Sequence, residues 1–215
     1  MPKLRVHGFT ISLDGYGAGP DQSVDAGLGV GGEQLHGWMV ATQFGHEQFG
    51  LEGRGSTGRD DEFARARTEN TGATVMGRNM FGPIRGDWGD DEWRGWWGDN
   101  PPYHHPVFVL THHPHEPIEM EGGTTFHFVD AGIEAALEQA FAAAGGRDVC
   151  LGGGVSTVRQ YLEAGLVDEL HIPVSPVLLG AGERLFGDLD GLDRYEVVEV
   201  VSSPLAAHFV LAKKS

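Results

Sequence analysis

Apolar and polar residues alternate in short blocks along the chain, and the spacing within each block predicts its secondary structure. Short alternating or continuous apolar runs are typical of strands, whereas apolar residues repeating every three or four positions are typical of helices. The strand pattern occurs in segments 5–12, 73–76, 107–110, 124–128, 148–151, 169–174, 195–201 and 208–212. The helical pattern occurs in segments 33–44, 60–70, 133–144 and 156–164. The Gly-, Pro- and Asp-rich stretch 15–32 is typical of a long loop.

The order of these segments predicts an α/β fold. Helices between short strands are typical of a three-layer architecture, in which helices cover both faces of a mostly parallel sheet. The last two strands have no helix between them, which predicts an antiparallel hairpin at the C-terminal end of the sheet. With 215 residues, the chain suits a single domain spanning 1–215.

Charge and cysteine content narrow the possible functions. The chain carries 15 basic and 31 acidic side chains, a formal net charge of −16, which repels nucleic acids and anionic membranes. Cys150 is the single cysteine, so a disulfide framework is excluded and a reducing cytoplasm is expected. No apolar run has the length of a membrane span or of a signal-peptide core. We expect a cytoplasmic protein that binds a small molecule.

The most specific local motif is DVCLGGGVST, in which a strand leads into Gly152, Gly153 and Gly154 and then into a helix. Glycines let the backbone approach a pyrophosphate, and the N–H groups at a helix start point toward it. The alternative is that the three glycines only form a tight strand-to-helix turn. The lysine of nucleoside-triphosphatase loops is absent, which disfavours ATP hydrolysis.

Two further strands end in polar residues. Gly77 and Arg78 follow the second strand, and Thr111 and His112 follow the third. The carboxyl ends of parallel strands meet at one edge of a sheet, where open α/β sheets bind ligands. The neighbouring histidine pairs lack the carboxylates and spacing of a metal site, so no bound metal is expected.

Five motifs in this order resemble the dihydrofolate-reductase-like superfamily, in the branch of the reductase domain of the bifunctional riboflavin-biosynthesis deaminase-reductase. They are SLDG, MGRNMFGP, VLTHH, LGGG and VDELHIPVSPVLLGAGERLF. The resemblance implies a mostly parallel sheet of about eight strands, NADPH across the carboxyl ends of the strands, and a homodimer. It also implies hydride transfer to a small pteridine- or pyrimidine-like heterocycle or a carbonyl compound. A single cysteine cannot supply the zinc site of the deaminase partner.

The resemblance assigns the cofactor to the three strand ends. The implied cofactor-binding residues are Gly77, Arg78, Asn79, Met80, Thr111, His112, Gly152, Gly153, Gly154, Val155 and Ser156. Arg78, aided by His112, is the candidate for recognising the 2′-phosphate that distinguishes NADPH from NADH. A flavin-dependent reductase and a non-catalytic nucleotide-binding module are the alternatives.

The resemblance implies the substrate-binding residues less directly. Leu13, Asp14 and Gly15 would lie where the nicotinamide meets the substrate, with Asp14 as catalytic acid or, alternatively, as a residue that only stabilises its turn. Glu33 is the acidic residue nearest the position of the substrate-binding acid in dihydrofolate reductases, and Trp38 could stack on a flat heterocycle. The segment 87–105 contains four tryptophans, which could cap the active site, form a subunit interface or pack as a satellite hydrophobic cluster.

Overall fold

Strands and short helices alternate through the residues that this computed structural model describes, which are 1–82, 86–88 and 93–214. The strands are β1 (Leu4–His7), β2 (Ile11–Ser12), β3 (Tyr16–Ala18), β4 (Thr71–Gly77), β5 (Pro106–Leu110), β6 (Ile118–Glu119), β7 (Thr125–Val129), β8 (Asp148–Gly153), β9 (Glu169–Ser175), β10 (Glu183–Arg184), β11 (Tyr195–Ser202) and β12 (Ala207–Lys213). The helices are α1 (Gly37–Val40), α2 (Gln43–Phe49), α3 (Arg59–Ala66), α4 (Arg78–Phe81), α5 (Ile133–Ala143) and α6 (Val155–Glu163). Short 3-10 helices span Gly32–His36, Glu121–Gly123 and Leu192–Arg194.

Ten of the described strands form one sheet in the order β11-β12-β9-β1-β8-β4-β5-β7-β6, with β2 pairing beside β9. The strands from β9 to β7 run parallel, whereas β12 pairs antiparallel with β9 and β11. The predicted α/β fold and C-terminal hairpin are therefore confirmed. The strand count exceeds eight because the first predicted strand is divided after Gly8, whose φ is +73°, and because β6 adds an edge strand. In addition, β3 and β10 pair with each other, so the Gly-rich stretch 15–32 contains a strand that the pattern did not predict.

The central strands bury apolar residues on the face toward α5 and α6. Leu4 and Val6 of β1, and Val149 and Leu151 of β8, lie in the main core with Val75 of β4. Helices α5 and α6 cover this face and contribute apolar side chains of their own, including Ala136, Ala140, Val158 and Leu162. Because successive strand residues point to opposite faces, the intervening residues of β1, β4 and β8 face the other side of the sheet.

Two smaller apolar clusters lie apart from the main core. One contains Met76, Phe81 and Phe126 with Trp88, Trp93, Trp97 and Tyr103 packed against it. The indole N–H of Trp93 donates to the Phe81 carbonyl at 2.9 Å, which satisfies the polar atom of this half-buried ring. The satellite-cluster interpretation of the tryptophan segment is thus confirmed for these three rings, while residues 89–92 of that segment lie outside the described residues.

The single helix predicted over 33–44 is wrong. The second apolar cluster contains Trp38, Met39 and Phe63, and the segment that carries Trp38 and Met39 is a 3-10 helix followed by the four-residue α1. Thr42 then adopts an extended conformation, and its hydroxyl accepts a hydrogen bond from the Gly45 N–H at 2.9 Å. Thr42 is therefore the N-cap of a new helix, α2, which runs past the predicted end.

Candidate functional site

Three strand ends that the sequence singles out lie side by side. Strands β8, β4 and β5 are neighbours, with Met76 paired to Gly153 and Gly77 to Leu110. Gly77 also lies against the first turn of α6, because a Cβ at this position would collide with the Thr157 hydroxyl. A side chain at Gly77 would therefore push α6 away from the edge, and glycine allows the close approach.

The glycine turn between β8 and α6 leaves a helix start open. Gly153 has a φ of +130°, which favours glycine, and the Gly153–Gly154 peptide bond is cis. Gly154 is the N-cap of α6, no side chain caps the helix, and a Cβ on Gly154 would meet nothing within 4 Å. The N–H groups of the first turn, which begins with Val155 and the exposed Ser156, are thus available to an anion.

Arg78 supplies positive charge at this edge. Its Nη1 donates to the Thr111 hydroxyl at 3.3 Å and to the Gly86 carbonyl at 3.4 Å, and its guanidinium lies 3.3 Å above the Trp88 ring centre. Its Nε and Nη2 are buried and have no hydrogen-bond partner among the described residues. Burial lowers the pKa of Arg78, since desolvation disfavours the charged form. Two unpaired buried donors on a cation are the arrangement that an anionic ligand would complete.

The remaining residues of the implied cofactor set surround Arg78 and the glycines. Asn79 donates from Nδ2 to the Gln22 side chain at 2.8 Å and keeps an unpaired, buried Oδ1. The Met80 side chain packs against Gly152, next to the place that a Cβ on Gly152 would occupy. Thr111 is buried and also accepts a hydrogen bond from the His113 N–H at 3.0 Å, whereas His112 is exposed. These residues fit a dinucleotide at the edge, because they combine a glycine turn, a free helix start and an arginine with unused donors.

Hydrogen bonds from neighbouring groups fix the Asp14 side chain. Its carboxylate accepts hydrogen bonds from the Ser12 hydroxyl at 2.6 Å, from the Leu179 N–H at 3.1 Å and from the Gly180 N–H at 2.7 Å. The Ser12 hydrogen bond, followed by those two backbone N–H groups, lowers the pKa of Asp14 to about 2. The carboxylate is therefore ionised at neutral pH and fastens the turn after β2 to residues 179–180. These contacts support its structural interpretation, and its role as catalytic acid stays a prediction.

The other implied substrate residues differ in accessibility. Leu13 is 66% exposed, and Glu33 is exposed in the first 3-10 helix. Trp38 is only 1% exposed; its N–H donates to the Thr10 hydroxyl at 2.9 Å, and its ring meets His208 edge-on at 5.0 Å. The stacking role predicted for Trp38 is wrong, because no face of the indole is free to receive a heterocycle.

A chain of buried histidines escaped the sequence analysis. The Gly8 N–H donates to His171 Nδ1 at 3.2 Å, His171 Nε2 lies 3.0 Å from His208 Nδ1, and His208 Nε2 lies 2.8 Å from the Asp60 carboxylate. Burial, with smaller contributions from the charges of His7, His208 and Arg67, lowers the pKa of His171 to about 2. The signal for this chain was present in β9, where His171 lies between the buried Leu170 and Ile172.

The parallel strand ends, the open start of α6 and Arg78 define an α/β protein with a candidate anion site at one edge of its sheet. The chain belongs to the family described as the RibD C-terminal domain, whose model matches residues 3–203. This is a reductase family, within the oxidoreductases, and its members use a nicotinamide cofactor. The predicted family resemblance is thereby confirmed.

Solved structures of similar fold come from several bacteria. A putative riboflavin biosynthesis protein from Shewanella sp. PV-4 is 23% identical, with a TM-score of 0.64 and complete coverage of both chains. The diaminohydroxyphosphoribosylaminopyrimidine deaminase/5-amino-6-(5-phosphoribosylamino)uracil reductase from Thermotoga maritima is 14% identical with a TM-score of 0.56, and the match covers 99% of this chain but 57% of that one. A pyrimidine reductase-like protein from Corynebacterium diphtheriae is 15% identical with a TM-score of 0.54, covering 100% of this chain and 92% of that one.

A sequence relative adds little about activity. The uncharacterized protein YyaP of Bacillus subtilis (strain 168) is 43% identical over 44 residues, which are 20% of this chain and 23% of that protein. Among the described residues, the longest helix, α5, has 11 residues, and no helix combines the length and apolarity that a bilayer crossing requires.

Proposed function

We propose that this chain is an NADPH-dependent reductase of a small heterocyclic or carbonyl substrate. The observation that carries the proposal is the edge formed by β8, β4 and β5, where the open start of α6 follows β8 and Arg78, with its unpaired donors, follows the neighbouring strand β4. The single-domain organisation over 1–215, a cytoplasmic location and a homodimer belong to the same proposal. The edge strand β11 exposes Val197, Val198 and Val200, which a second subunit could cover.

Each element of the edge has a defined task in this proposal. The first-turn N–H groups of α6, after Gly154, would bind the pyrophosphate, and the free Nε and Nη2 of Arg78 would bind the 2′-phosphate. Thr111 positions the Arg78 guanidinium through its hydroxyl, and Trp88 covers the guanidinium on one side. When bound, the nicotinamide supplies a hydride to the electron-poor carbon of the substrate. The protein's contribution is to hold the two reacting groups together and to exclude water.

The names of the structural relatives, a deaminase/uracil reductase and a pyrimidine reductase-like protein, favour a pyrimidine- or pteridine-like heterocycle. On the substrate side, Leu13 and Glu33 are accessible to such a ring. Asp14 would act there by shaping the turn, because an acid whose pKa is about 2 retains almost no proton to donate at neutral pH.

Cofactor titrations of two variants test the proposal. Arg78→Ala is expected to weaken NADPH binding by about tenfold or more and to leave NADH nearly unchanged, since a charge-assisted contact to phosphate contributes about 1.5–3 kcal/mol. Gly154→Val is expected to weaken both cofactors, because its side chain would occupy the open space before the helix start. Dissociation constants from calorimetry or nucleotide fluorescence measure both effects.

Gly37→Val is the matched control for the glycine variant. Gly37 also has a negative φ, and its Cβ would likewise meet nothing within 4 Å, but it lies in α1 away from the strand ends. It should bind both cofactors like the wild type. The proposal fails if the wild type does not bind NADPH at millimolar concentration, and equal losses of NADPH and NADH in Arg78→Ala would remove the 2′-phosphate assignment. A yellow preparation would instead indicate a flavin, and binding without turnover on a broad substrate panel would indicate a non-catalytic module.

A further inference from the structure

The Phe9 ring lies between the glycine turn and β3 and approaches both closely. A Cβ on Gly17 of β3 would lie 2.8 Å from Phe9 Cε1, and a Cβ on Gly153 of the turn would lie 3.0 Å from Phe9 Cε2. A side chain at Gly17 would therefore collide with the ring, and one at Gly153 would fit only if the ring moved. The Phe9 ring thus fills the space beside both glycines.

The three glycines of the turn differ in what surrounds them. A Cβ on Gly152 would lie 3.3 Å from the Met80 side chain, and one on Gly153 would meet Phe9 and, at 3.5 Å, Met80. A Cβ on Gly154 would meet nothing within 4 Å. Gly152 and Gly153 thus face packed side chains of the protein, whereas Gly154 faces open space at the start of α6. Of the three, Gly154 is the one that leaves room for a ligand.

The backbone that carries Phe9 is fixed by β9. Gly8, with a φ of +73°, turns the chain at the end of β1, and its N–H donates to His171 Nδ1 at 3.2 Å. The Phe9 N–H donates to the His171 carbonyl at 3.3 Å. The Phe9 side chain is half-buried and packs against the main core. Phe9 is therefore a firmly held contact for the glycine turn.

The glycine turn has few other restraints of its own. Gly153 has a φ of +130°, and glycine loses more backbone entropy on folding than any other residue. No side chain caps the start of α6, so a capping hydrogen bond does not order this segment. Packing of the Phe9 ring on Gly153 supplies a restraint in the free protein. A segment that is already ordered costs a ligand less entropy on binding.

We propose that Phe9 is a positioning residue of the cofactor site. Its ring holds Gly153 in place, so that the N–H groups of the first turn of α6 are directed at the pyrophosphate before the cofactor binds. The identity of this ligand rests on the proposed NADPH-dependent function. Phe9 acts through Gly153 and needs no contact with the cofactor. Because NADPH and NADH share the pyrophosphate, removal of the ring should affect both cofactors equally.

Cofactor titrations of Phe9→Leu and Phe9→Met test the effect on binding. Both substitutions keep an apolar side chain and remove the ring, so each should weaken NADPH and NADH by the same factor, about two- to tenfold. Arg78→Ala, by contrast, should change the ratio of the two affinities. The use of two substitutions at Phe9 allows for one that fails to fold.

Phe141→Leu is the matched control. Phe141 is also half-buried and packs against the main core, but it lies on α5 and is absent from the described contacts of the glycine turn. Chemical denaturation should show a loss of stability comparable to that of Phe9→Leu, while both cofactors bind as they do to the wild type. A purely structural role of Phe9 predicts the same result for Phe9→Leu. Wild-type cofactor affinity in a folded Phe9 variant would therefore overturn the proposal.

Amide hydrogen exchange tests the contact without any cofactor. The Val158 N–H donates to the Gly154 carbonyl at 3.0 Å, so its exchange reports on the order of the turn. The Ala164 N–H, which is hydrogen-bonded at the other end of α6, is the internal reference. Exchange at Val158 relative to Ala164 should be faster in Phe9→Leu and unchanged in Phe141→Leu. An unchanged ratio in Phe9→Leu would contradict a positioning role.

The same samples separate the role of Phe9 from the cofactor proposal. A wild type that does not bind NADPH at millimolar concentration would contradict the cofactor proposal, and the exchange ratio would still decide whether Phe9 holds the turn. Wild-type binding of NADPH with equal affinity in Phe9→Leu would contradict the role of Phe9 and support the cofactor proposal.

Discussion

The two faces of the central strands carry different kinds of side chain, although alternating residues of the same strands form both faces. Toward α5 and α6, β1 presents Leu4 and Val6, which are fully buried in the main core. Toward the other side, β1 presents Arg5 and His7, and β8 presents Cys150. We call the first the apolar face and the second the polar face. Polar groups inside a fold cost stability unless they are paired, so the polar face is the one where function explains the residues better than packing does.

The largest difference between the two faces is expected in the pH dependence of the free energy of unfolding, to which the polar face should contribute most. Burial, as the largest cause, lowers the pKa of four histidines on or near the polar face, namely His7 (about 3), His36 (about 4), His105 (about 4) and His171 (about 2). The unfolded chain binds these protons near pH 6.5, so it holds more protons than the folded protein at lower pH. The free energy of unfolding should therefore fall as the pH drops below about 6.5, by up to about 1.4 kcal/mol per pH unit for each histidine.

Urea unfolding between pH 7.5 and 5 measures this slope. His7→Gln should reduce the slope by about one proton, whereas His112→Gln, at an exposed position, should leave it unchanged. A free energy of unfolding that stays constant from pH 7 to 5 would show that these rings are not desolvated and that the two faces do not differ in this respect.

Truncation to alanine should have the next largest effect, and only on the apolar face. Leu4→Ala removes a fully buried side chain and should lower the free energy of unfolding by about 2–5 kcal/mol. Cys150→Ala, on the neighbouring strand but on the polar face, should cost about 1 kcal/mol or less, because Cys150 borders accessible space. Chemical denaturation compares the two variants directly. Similar losses would mean that the polar face is packed like the core.

The smallest effect is expected from a single hydrogen bond on the polar face. Thr74 Oγ1 lies 2.8 Å from His105 Nε2. Thr74→Val keeps the shape and removes this bond, which should lower the free energy of unfolding by about 0.5–1.5 kcal/mol. Val75→Thr, one residue further and in the main core, is the counterpart and should cost more, because its hydroxyl would be buried without a partner. A larger loss for Thr74→Val than for Val75→Thr would reverse the comparison.

The regular strands and helices are also the part of the molecule that the sequence predicts well. Strands β4, β5, β8 and β9, the helices α5 and α6, and the C-terminal hairpin are where the apolar pattern places them, because their apolar residues pack in the main core or, for part of β4 and β5, in the cluster around Phe126. The helix over 33–44 was predicted wrongly because Leu35, Trp38 and Met39 have a helical spacing, whereas the helix ends before Thr42 and a new one begins after it. The cap at Thr42 determines this break, and hydrophobic periodicity does not detect a cap.

The residues of the candidate site also differ in whether the sequence predicts them. Gly152, Gly153, Gly154 and Arg78 could be singled out from the sequence because they lie at the ends of two strands, β8 and β4, and parallel strands align their ends. The buried histidines could not, because His7, His171 and His208 come from three strands that meet only in the folded sheet. One available signal was Arg5 and His7 in the alternation LRVH, which puts two polar side chains on a face of a central strand.

The hydrogen-bonded chain from Gly8 through His171 and His208 to Asp60 has a fixed direction, since the Gly8 N–H can only donate and the Asp60 carboxylate accepts. Both imidazole tautomers are therefore determined from the two ends. Detaching α3 from β12 would leave His208 without its acceptor, and separating β12 from β9 would leave His171 without one. The four segments are thus expected to open together, as one cooperative unit whose amide protons exchange with solvent at a common rate.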